Sequence, residues 1–190
     1  YNSIFAFLRD NKPNLSSLDQ EAVAALQTLM ADEKVYIGGK LKDAKAKLGL
    51  LEDQLKRILK QEKDKALAEI KPLYESLITK AVGKQEIFNK IETAYQKVSD
   101  SISQETMIPM IVSHLADFAD RTYLDLLNEI ELVHTPESGD KPRSKIINAK
   151  NLRPRFGKEI IESDSDLEDY LKSLKEAFLN ELGKGNRIKV

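Results

Sequence analysis

The sequence predicts a mainly α protein: an antiparallel helical bundle with long helices, followed by a small C-terminal strand–helix–strand unit. Three observations indicate this fold class. Leucine and isoleucine recur every three or four residues over most of the chain, as on the buried face of an amphipathic helix. Charged residues make up 32% of the chain, a share typical of long amphipathic helices. Near the C-terminus, a segment containing proline and glycine is followed by a short β-branched run.

Two short helices are predicted at the start of the chain. The apolar clump YNSIFAFL (1–8) is expected to pack as a short helix, and Pro13 breaks the chain after it. A second helix is predicted from Ser17 to Met30, with Ser17 as the N-cap and Gln20 three residues later, as in a capping box. The glycine pair in IGGK (37–40) ends this region, because such a pair seldom lies inside a helix.

The longest predicted helix runs from Lys40 to Lys80 and would be about 60 Å long. Its apolar seam is close to a heptad pattern and shifts by one residue across the charged run KQEKDK (60–65). Pro72 lacks a backbone donor and is expected to kink the helix. The seam consists of Leu41, Ala44, Leu48, Leu51, Leu55 and Ile58, then Leu59, Ala66, Ile70, Leu73 and Leu77.

Two further helices complete the predicted bundle. Gly83 is suited to the position after a helix end, so a third helix begins beyond it. A short interruption of the helical pattern over 101–109 separates this helix from a fourth. Short turns between long helices make neighbouring helices antiparallel. The predicted inward residues are Ile87, Ile91, Ala94, Val98 and Ile102, then Ile111, Leu115, Phe118, Leu126 and Ile130.

The segment HTPESGDKP, which starts at His134, is the clearest linker. After it, SKIINA reads as a strand, and Ser165 to Glu168 form a capping box for a helix that Gly183 ends. The buried face of this helix is predicted to hold Leu167, Leu171, Leu174, Phe178 and Leu182. The terminal RIKV reads as a second strand, parallel to the first. The predicted organisation is therefore a helical bundle at 1–133, a linker at 134–143 and an αβ unit at 144–190.

Charge is sorted into two blocks in this C-terminal region. Residues 141–158 hold seven bases and no acid, and residues 159–169 hold six acids and no base. The acids lie at a predicted helix N-terminus, where the helix dipole favours carboxylates, so they need no ligand. An EF-hand is excluded because its glycine and distant glutamate are absent.

The bases leave two interpretations open: a solvated linker that pairs with the acids, or a surface for nucleic acid or an acidic partner. Phe156 is the one aromatic residue among them that could stack on a base. The candidate binding residues are Lys141, Arg143, Lys145, Lys150, Arg153, Arg155, Lys158 and Arg187, which Lys184 and Lys189 could join.

Several classes of site are excluded or unsupported. The chain has no cysteine, so disulfides and cysteine–zinc sites are ruled out. It has no phosphate-binding GxxxxGK[ST] motif and no G-x-S-x-G motif. Its two histidines, His114 and His134, belong to no motif. We therefore predict no catalytic residue, no metal site, no cofactor and no small-molecule substrate. The net charge of −1 gives no overall attraction to nucleic acid, and no run of about 20 apolar residues predicts a membrane span.

The stretches NLRPRF (151–156) and IIESDSDLEDYLKSLKEAFLNELGKGNRIKV (160–190) resemble the end of the large P-loop ATPase component of BREX-type bacteriophage-defence systems. The long helix KLKDAKAKLGLLEDQLKRILKQEKDKALAEI is similar in character to the region after that family's ATPase core. The resemblance implies a cytoplasmic parent ATPase that acts on foreign DNA with other defence components. The nucleotide site of that family depends on a Walker motif, which this chain lacks, so no catalytic residue carries over.

The chain opens with Tyr1, and we expect it to be a piece of a longer protein. The predicted function is a non-catalytic, cytoplasmic module for protein interaction or self-association within a larger phage-defence ATPase. The alternative is a nucleic-acid-binding module that uses the basic segment 141–158. A stand-alone enzyme is disfavoured because no acid and base residues are paired in a recognisable motif.

Overall fold

Helices make up most of the computed structural model, which describes residues 2–32, 39–134, 144–158 and 160–190. The described α-helices are α1 (Asn2–Asp10), α2 (Gln20–Met30), α3 (Lys40–Lys80), α4 (Gln85–Gln104), α5 (Ile108–Asp117), α6 (Tyr123–His134) and α7 (Asp164–Gly183). Short 3-10 helices span Lys12–Ser17 and Ala149–Asn151, and a π-helix spans Phe118–Thr122. The strands are β1 (Ile146–Asn148) and β2 (Arg187–Lys189). The predicted fold class, mainly α with a small C-terminal strand–helix–strand unit, is confirmed.

Two compact units divide the chain, and each is assembled from separate stretches. Unit 1 contains Tyr1–Pro72 and Ala94–Phe118, and unit 2 contains Leu73–Thr93 and Ala119–Val190. Both α3 and α4 therefore contribute residues to both units. Almost all of the predicted linker (134–143) lies outside the described residues, so the predicted division into 1–133 and 144–190 stays a prediction.

The core of unit 1 forms where α1 and α2 pack on the first half of α3. Ile4, Phe7 and Leu26 are buried together with four seam residues of α3: Ala44, Leu48, Leu51 and Leu55. At α2 the predicted N-cap is wrong. The cap is Asp19, whose carboxylate accepts a hydrogen bond from the backbone N–H of Ala22 at 3.0 Å, because Ser17 is taken up by the preceding 3-10 helix.

One buried asparagine fixes the start of α5 in unit 1. Asn14 is only 1% exposed. Its Nδ2 donates to the carbonyl oxygen of Thr106 at 2.9 Å, and its Oδ1 accepts from the backbone N–H of Ile108 at 2.7 Å. A buried backbone donor without a partner is costly, so this side chain acts as a cap supplied from a distant part of the sequence.

The seam of α3 is confirmed: each predicted seam residue is buried or half-buried. The contacts between α3 and α4 follow an antiparallel order, since the later residue of α3 meets the earlier residue of α4. In unit 1, Lys63 Nζ donates to the carbonyl oxygen of Ser103 at 2.8 Å. In unit 2, the Tyr74 hydroxyl donates to the Glu92 carboxylate. Pro72 lies inside α3 with its side chain exposed, and the helix continues past it to Lys80.

The predicted fourth helix contains a π-helical turn. α5, the π-helix and α6 follow one another without a non-helical residue between them. Its predicted inward residues Ile111, Phe118, Leu126 and Ile130 are nevertheless buried. A π-helix inserts one extra residue per turn, and the insertion lets residues of both α5 and α6 keep an apolar face toward a core.

The strands of unit 2 pair in parallel, as predicted, with Ile147 opposite Ile188. Asn128 of α6 extends this pairing: its amide donates to the carbonyl oxygen of Ile146 at 3.2 Å and accepts from the N–H of Ile146 at 2.9 Å. Both backbone groups of that strand residue are thereby satisfied at the side facing α6.

Two predictions for α7 are wrong. The N-cap is Ser163 rather than Ser165, and its hydroxyl accepts from the N–H of Asp166 at 3.2 Å. The predicted buried face is largely open: Leu167, Leu171 and Leu182 are exposed. Only Leu174 and Phe178 of that set are half-buried.

Gly183 is the last residue of α7, and the left-handed conformation that follows the helix is adopted by Gly185 (φ 82°). A side chain with a Cβ is strained at such a backbone angle, which is the reason for glycine there.

Candidate partner-binding surface

The described part of the basic segment runs over the surface of unit 2 in three short pieces. Strand β1 is followed by the 3-10 helix Ala149–Asn151, and an extended stretch (152–158) then crosses beside α7. Two contacts hold this stretch to α7. Ser173 Oγ donates to the carbonyl oxygen of Arg155 at 3.1 Å, and Lys158 Nζ donates to Asp166 Oδ1 at 2.7 Å. Of the predicted binding residues, Lys141 and Arg143 lie outside the described residues.

Three of the predicted binding residues are paired with acids. Lys150 Nζ lies 2.7 Å from Asp120 Oδ2, and Lys158 pairs with Asp166 as above. The Arg187 guanidinium pairs with the Glu131 carboxylate of α6. Lys150, Lys158 and Arg187 therefore hold parts of unit 2 together, and their charges are compensated from within the chain.

Arg153, Arg155 and Lys145 differ from the paired bases. All three side chains are exposed, and none of their cationic groups has an ion pair or hydrogen bond to the described residues. Lys145 uses only its backbone: its N–H donates to Asn186 Oδ1 at 3.2 Å, and its carbonyl oxygen accepts from the N–H of Arg187 at 2.8 Å. The uncompensated positive charge of the segment is thus concentrated at these three positions.

Two adjoining cavities lie between the 152–158 stretch and α7. The first, of about 290 Å³, is lined by Arg153, Arg155, Ser173, Glu176, Ala177 and Asn180. The second, of about 510 Å³, shares Arg155, Ser173 and Glu176 with the first and extends to Lys158, Asp169 and Lys172. Because the cavities share lining residues, we describe them together as the α7 groove. It offers two guanidinium groups, a hydroxyl and an amide as donors, and carboxylates as acceptors.

Phe156 is not available as a stacking platform. Its ring is half-buried and meets Tyr170 of α7 edge to face, with centroids 5.5 Å apart and planes at 80°. This arrangement is a favourable one for aromatic pairs. The expectation that Phe156 could stack on a nucleic-acid base is therefore not supported by its position, and the ring instead anchors the stretch that carries the two arginines.

The π-helix places Asp120 where it neutralises the base next to β1. Besides Lys150, Asp120 accepts from Asn148 Nδ2 at 3.2 Å. The hydrogen bond from Lys150 lowers the pKa of this carboxyl below its usual range, with smaller contributions from Asn148 and from the charge of Lys189. Lys189 itself lies over the Tyr123 ring, 5.2 Å from its centroid. The polar groups at this place satisfy one another, and together they form a structural junction.

The acids of the second charge block also have local partners. Asp166 accepts from Lys158 and from the backbone N–H of Glu162, the latter at 3.2 Å, and the Lys158 hydrogen bond is the main cause of its lowered pKa. Asp164 and Asp166 lie in the first turn of α7. This supports the local explanation of the acids. Within the described ranges no group of three or more histidine, aspartate or glutamate side chains could hold a metal ion, and no helix there is long and apolar enough to cross a membrane.

Several residues that shape this surface were not predicted. Asp120, Asn128 and Ser173 each bind the basic segment from a helix. Each is a polar residue in an amphipathic pattern, and such residues are expected on any solvated helix face. No sequence signal distinguishes them, because their partners lie 18 to 30 residues away along the chain.

Comparisons with known proteins add no assignment. No protein-family model, no curated protein and no solved structure matches this chain.

Proposed function

We propose that this chain is a non-catalytic protein-interaction module that binds an acidic protein partner through Arg153 and Arg155 in the α7 groove. The observation that carries this proposal is that both guanidinium groups are exposed and uncompensated on a stretch anchored to α7. Because these contacts fix the backbone of the stretch, binding need not order it, and each arginine can form a bidentate contact with a carboxylate.

The composition of the groove favours carboxylates over polyphosphates. Glu176 lines both cavities, and Asp169 lines the larger one. A carboxylate carries one negative charge, so these acids repel it less than they repel the denser charge of a phosphate chain. Ser173 and Asn180 add neutral donors that fit a carboxylate or a peptide backbone. The partner we propose is therefore an acidic segment of another protein.

A nucleic-acid-binding module stays the second candidate, because Lys145, Arg153 and Arg155 are three exposed bases within one segment. Against it, Lys150, Lys158 and Arg187 are already paired with acids. With about three phosphate contacts, the logarithm of duplex affinity would fall with the logarithm of salt concentration with a slope near −3.

The test compares the whole chain with the double variant Arg153→Ala/Arg155→Ala. Binding to a fluorescent glutamate-rich peptide and to a DNA duplex is measured by anisotropy over a range of salt concentrations. We expect the chain to bind the peptide more tightly than the duplex. The double variant should bind the peptide at least about tenfold more weakly, since charge-assisted hydrogen bonds contribute about 1.5–3 kcal/mol each.

The matched control is Lys45→Ala/Lys47→Ala, which removes two exposed bases from α3 and should leave peptide binding unchanged. Tighter binding of the duplex, lost in the arginine variant, would replace the proposal with the nucleic-acid candidate. Equal weakening by both double variants would reject the groove as the site, and so would no binding to either probe at low salt.

We further propose, from the resemblance of 151–156 and 160–190, that the module belongs to the large P-loop ATPase component of a BREX-type phage-defence system and acts in the cytoplasm. In that setting the module would assemble the ATPase with its partners and would need no cofactor of its own. The coding sequence upstream of Tyr1 tests this: a GxxxxGK[ST] motif there supports the assignment, and a start codon directly before Tyr1 contradicts it.

A further inference from the structure

The two arginines of the α7 groove occupy successive places along it. Arg155 lines both cavities, and its carbonyl oxygen accepts a hydrogen bond from Ser173. Arg153 lines only the smaller of the two described cavities, the one that extends to Asn180. Asn180 follows Ser173 by two turns of helix, a rise of about 10 Å. The groove therefore runs lengthwise along α7, with one arginine after the other.

The spacing of these two arginines is short and is set by the chain itself. Only Pro154 separates them, so their Cα atoms lie at most about 7 Å apart. Proline restricts its own φ angle and the conformation of the residue before it, which limits how far this spacing can vary. The contacts of Ser173 with the Arg155 carbonyl oxygen and of Phe156 with Tyr170 hold the adjoining backbone. The groove thus presents two cationic side chains at a defined separation.

An extended peptide matches this separation. In an extended chain, residues two apart point to the same side and lie about 6.5–7 Å from each other, whereas adjacent residues point to opposite sides. A helix also brings residues four apart to within about 5–6 Å. A helix is about 10–12 Å across, however, and would not enter a cavity of about 290 Å³. Two acidic residues separated by one residue of an extended segment can therefore reach both arginines at once.

Glu176 disfavours carboxylates at other spacings. It is exposed, lines both cavities and lies in α7 between Ser173 and Asn180, which is the part of the groove that the two arginines flank. A carboxylate that enters the groove without reaching an arginine is repelled by Glu176. In an extended segment the residue between the two acids points away from the groove, so it does not meet this charge.

We propose that the partner segment bound in the α7 groove is extended and carries two acidic residues separated by a single residue, with one carboxylate on Arg153 and the other on Arg155. The pairing rests on the proposed function and specifies the segment that the groove binds. A plain patch of positive charge would respond only to the net charge of a ligand, whereas this groove should respond to the spacing of its charges.

Two peptides of equal composition and equal charge test the spacing against the whole chain. Glu-Gly-Glu-Gly-Glu-Gly-Glu-Gly has glutamates separated by a single residue, and Glu-Glu-Gly-Gly-Glu-Glu-Gly-Gly has none at that spacing. Both peptides are blocked at their ends and carry the same fluorophore, and their binding is measured by anisotropy at low salt. We expect the alternating peptide to bind about tenfold more tightly, because only it can form charge-assisted contacts with both arginines together.

Single substitutions show whether both arginines read the spacing. Arg153→Ala and Arg155→Ala should each bring the ratio of the two affinities down to about one, since a single arginine cannot distinguish the peptides. The control is Lys175→Ala, which removes an exposed base of α7 that lines neither of the two described cavities and should leave the ratio unchanged. The altered side chains are exposed, so far-UV circular dichroism should be the same for every variant.

The outcomes separate this inference from the function on which it rests. If neither peptide binds, both are contradicted. Equal affinities of the two peptides for the unaltered chain would overturn the inference alone and leave the acidic-partner function standing. Tighter binding of the paired peptide would also overturn it, as would a preference for the alternating peptide that survives both arginine substitutions, because the spacing would then be read elsewhere.

Discussion

Asp120 shows how a single carboxylate can hold a basic segment in place without forming a binding site. It accepts hydrogen bonds from Lys150 and Asn148, one on each side of the junction between β1 and the following 3-10 helix. Lys150 remains 73% exposed, yet its charge is compensated. At this scale the important distinction among the bases is between those with an acid partner and those without one.

The lowered pKa of Asp120 leads to a pH-dependent prediction. A carboxyl whose pKa is lower in the folded state stabilises the protein above its unfolded pKa of about 4, and this stabilisation is lost as the pH falls through the folded value. Asp120→Asn should therefore lower the free energy of unfolding at neutral pH by about 1 kcal/mol or less, since the site is partly exposed. The deficit should shrink as the pH falls below about 4.

Urea denaturation at several pH values measures this effect. Asp125→Asn, at an exposed position of α6, is the control and should change stability by less than about 0.5 kcal/mol at neutral pH. A deficit of Asp120→Asn that grows on acidification would show that the ion pair with Lys150 does not stabilise the fold.

At the scale of single residues, the sequence predicted less than it did for the helices. The composition of the basic segment pointed to a charged surface, but it could not separate Arg153 from Lys150. Lys150 differs from Arg153 because it pairs with Asp120, which lies 30 residues before it in the chain and within the π-helix. Contacts of this range depend on the tertiary fold and have no local signature.

Helix α7 illustrates the same limit for a whole element. Its sequence offers two capping serines, since Ser163 is followed three residues later by Asp166, and Ser165 by Glu168. The structure uses Ser163, which leaves Asp166 free to bind Lys158 and the backbone of Glu162. The helix was predictable from its periodicity, but the choice between the two serines has no signal in the local sequence.

The choice of cap can be tested with two matched variants. Ser163→Ala should lower the free energy of unfolding by about 1 kcal/mol, because the N–H of Asp166 loses its acceptor. Ser165→Ala should cost less than about 0.5 kcal/mol, because Ser165 is exposed and lies inside the helix. Thermal denaturation of the two variants decides between the caps, and the reverse order of stability would assign the cap to Ser165.

Among the elements, α3 was the most predictable and the region of α5 and α6 the least. The apolar seam of α3 repeats over many turns, so all of its residues indicate the same helix. The π-helix at Phe118–Thr122 breaks the pattern for only five residues, and the apolar spacing on either side of it still suits one helix. An interruption this short is decided by packing on both sides and has no compositional signal.

At the scale of the whole molecule, the chain alternates between its two units. It leaves unit 1 after Pro72, returns at Ala94 and leaves again after Phe118. Neither unit is a continuous stretch of sequence, so apolar spacing along the chain could predict helices but not their assignment to units.

Removing residues 144–190 should therefore affect a distant part of the chain. The truncated chain loses β1, α7 and β2, which belong to the same compact unit as the stretch 73–93. Hydrogen exchange should show faster exchange of amides in 73–93, while amides in 2–32 and 40–60 keep their protection. Unchanged protection of 73–93 would mean that this stretch is stable without the C-terminal residues.

The parallel pairing of Ile147 with Ile188 has a consequence for how the protein is made. A ribosome adds residues in order, and β1 emerges long before β2 can join it. Until then Glu131 lacks its partner Arg187, which belongs to β2. Unit 2 is therefore expected to complete its folding only after β2 has been synthesised, in a nascent chain whose first core, around Leu26 and Leu51, is already available to form.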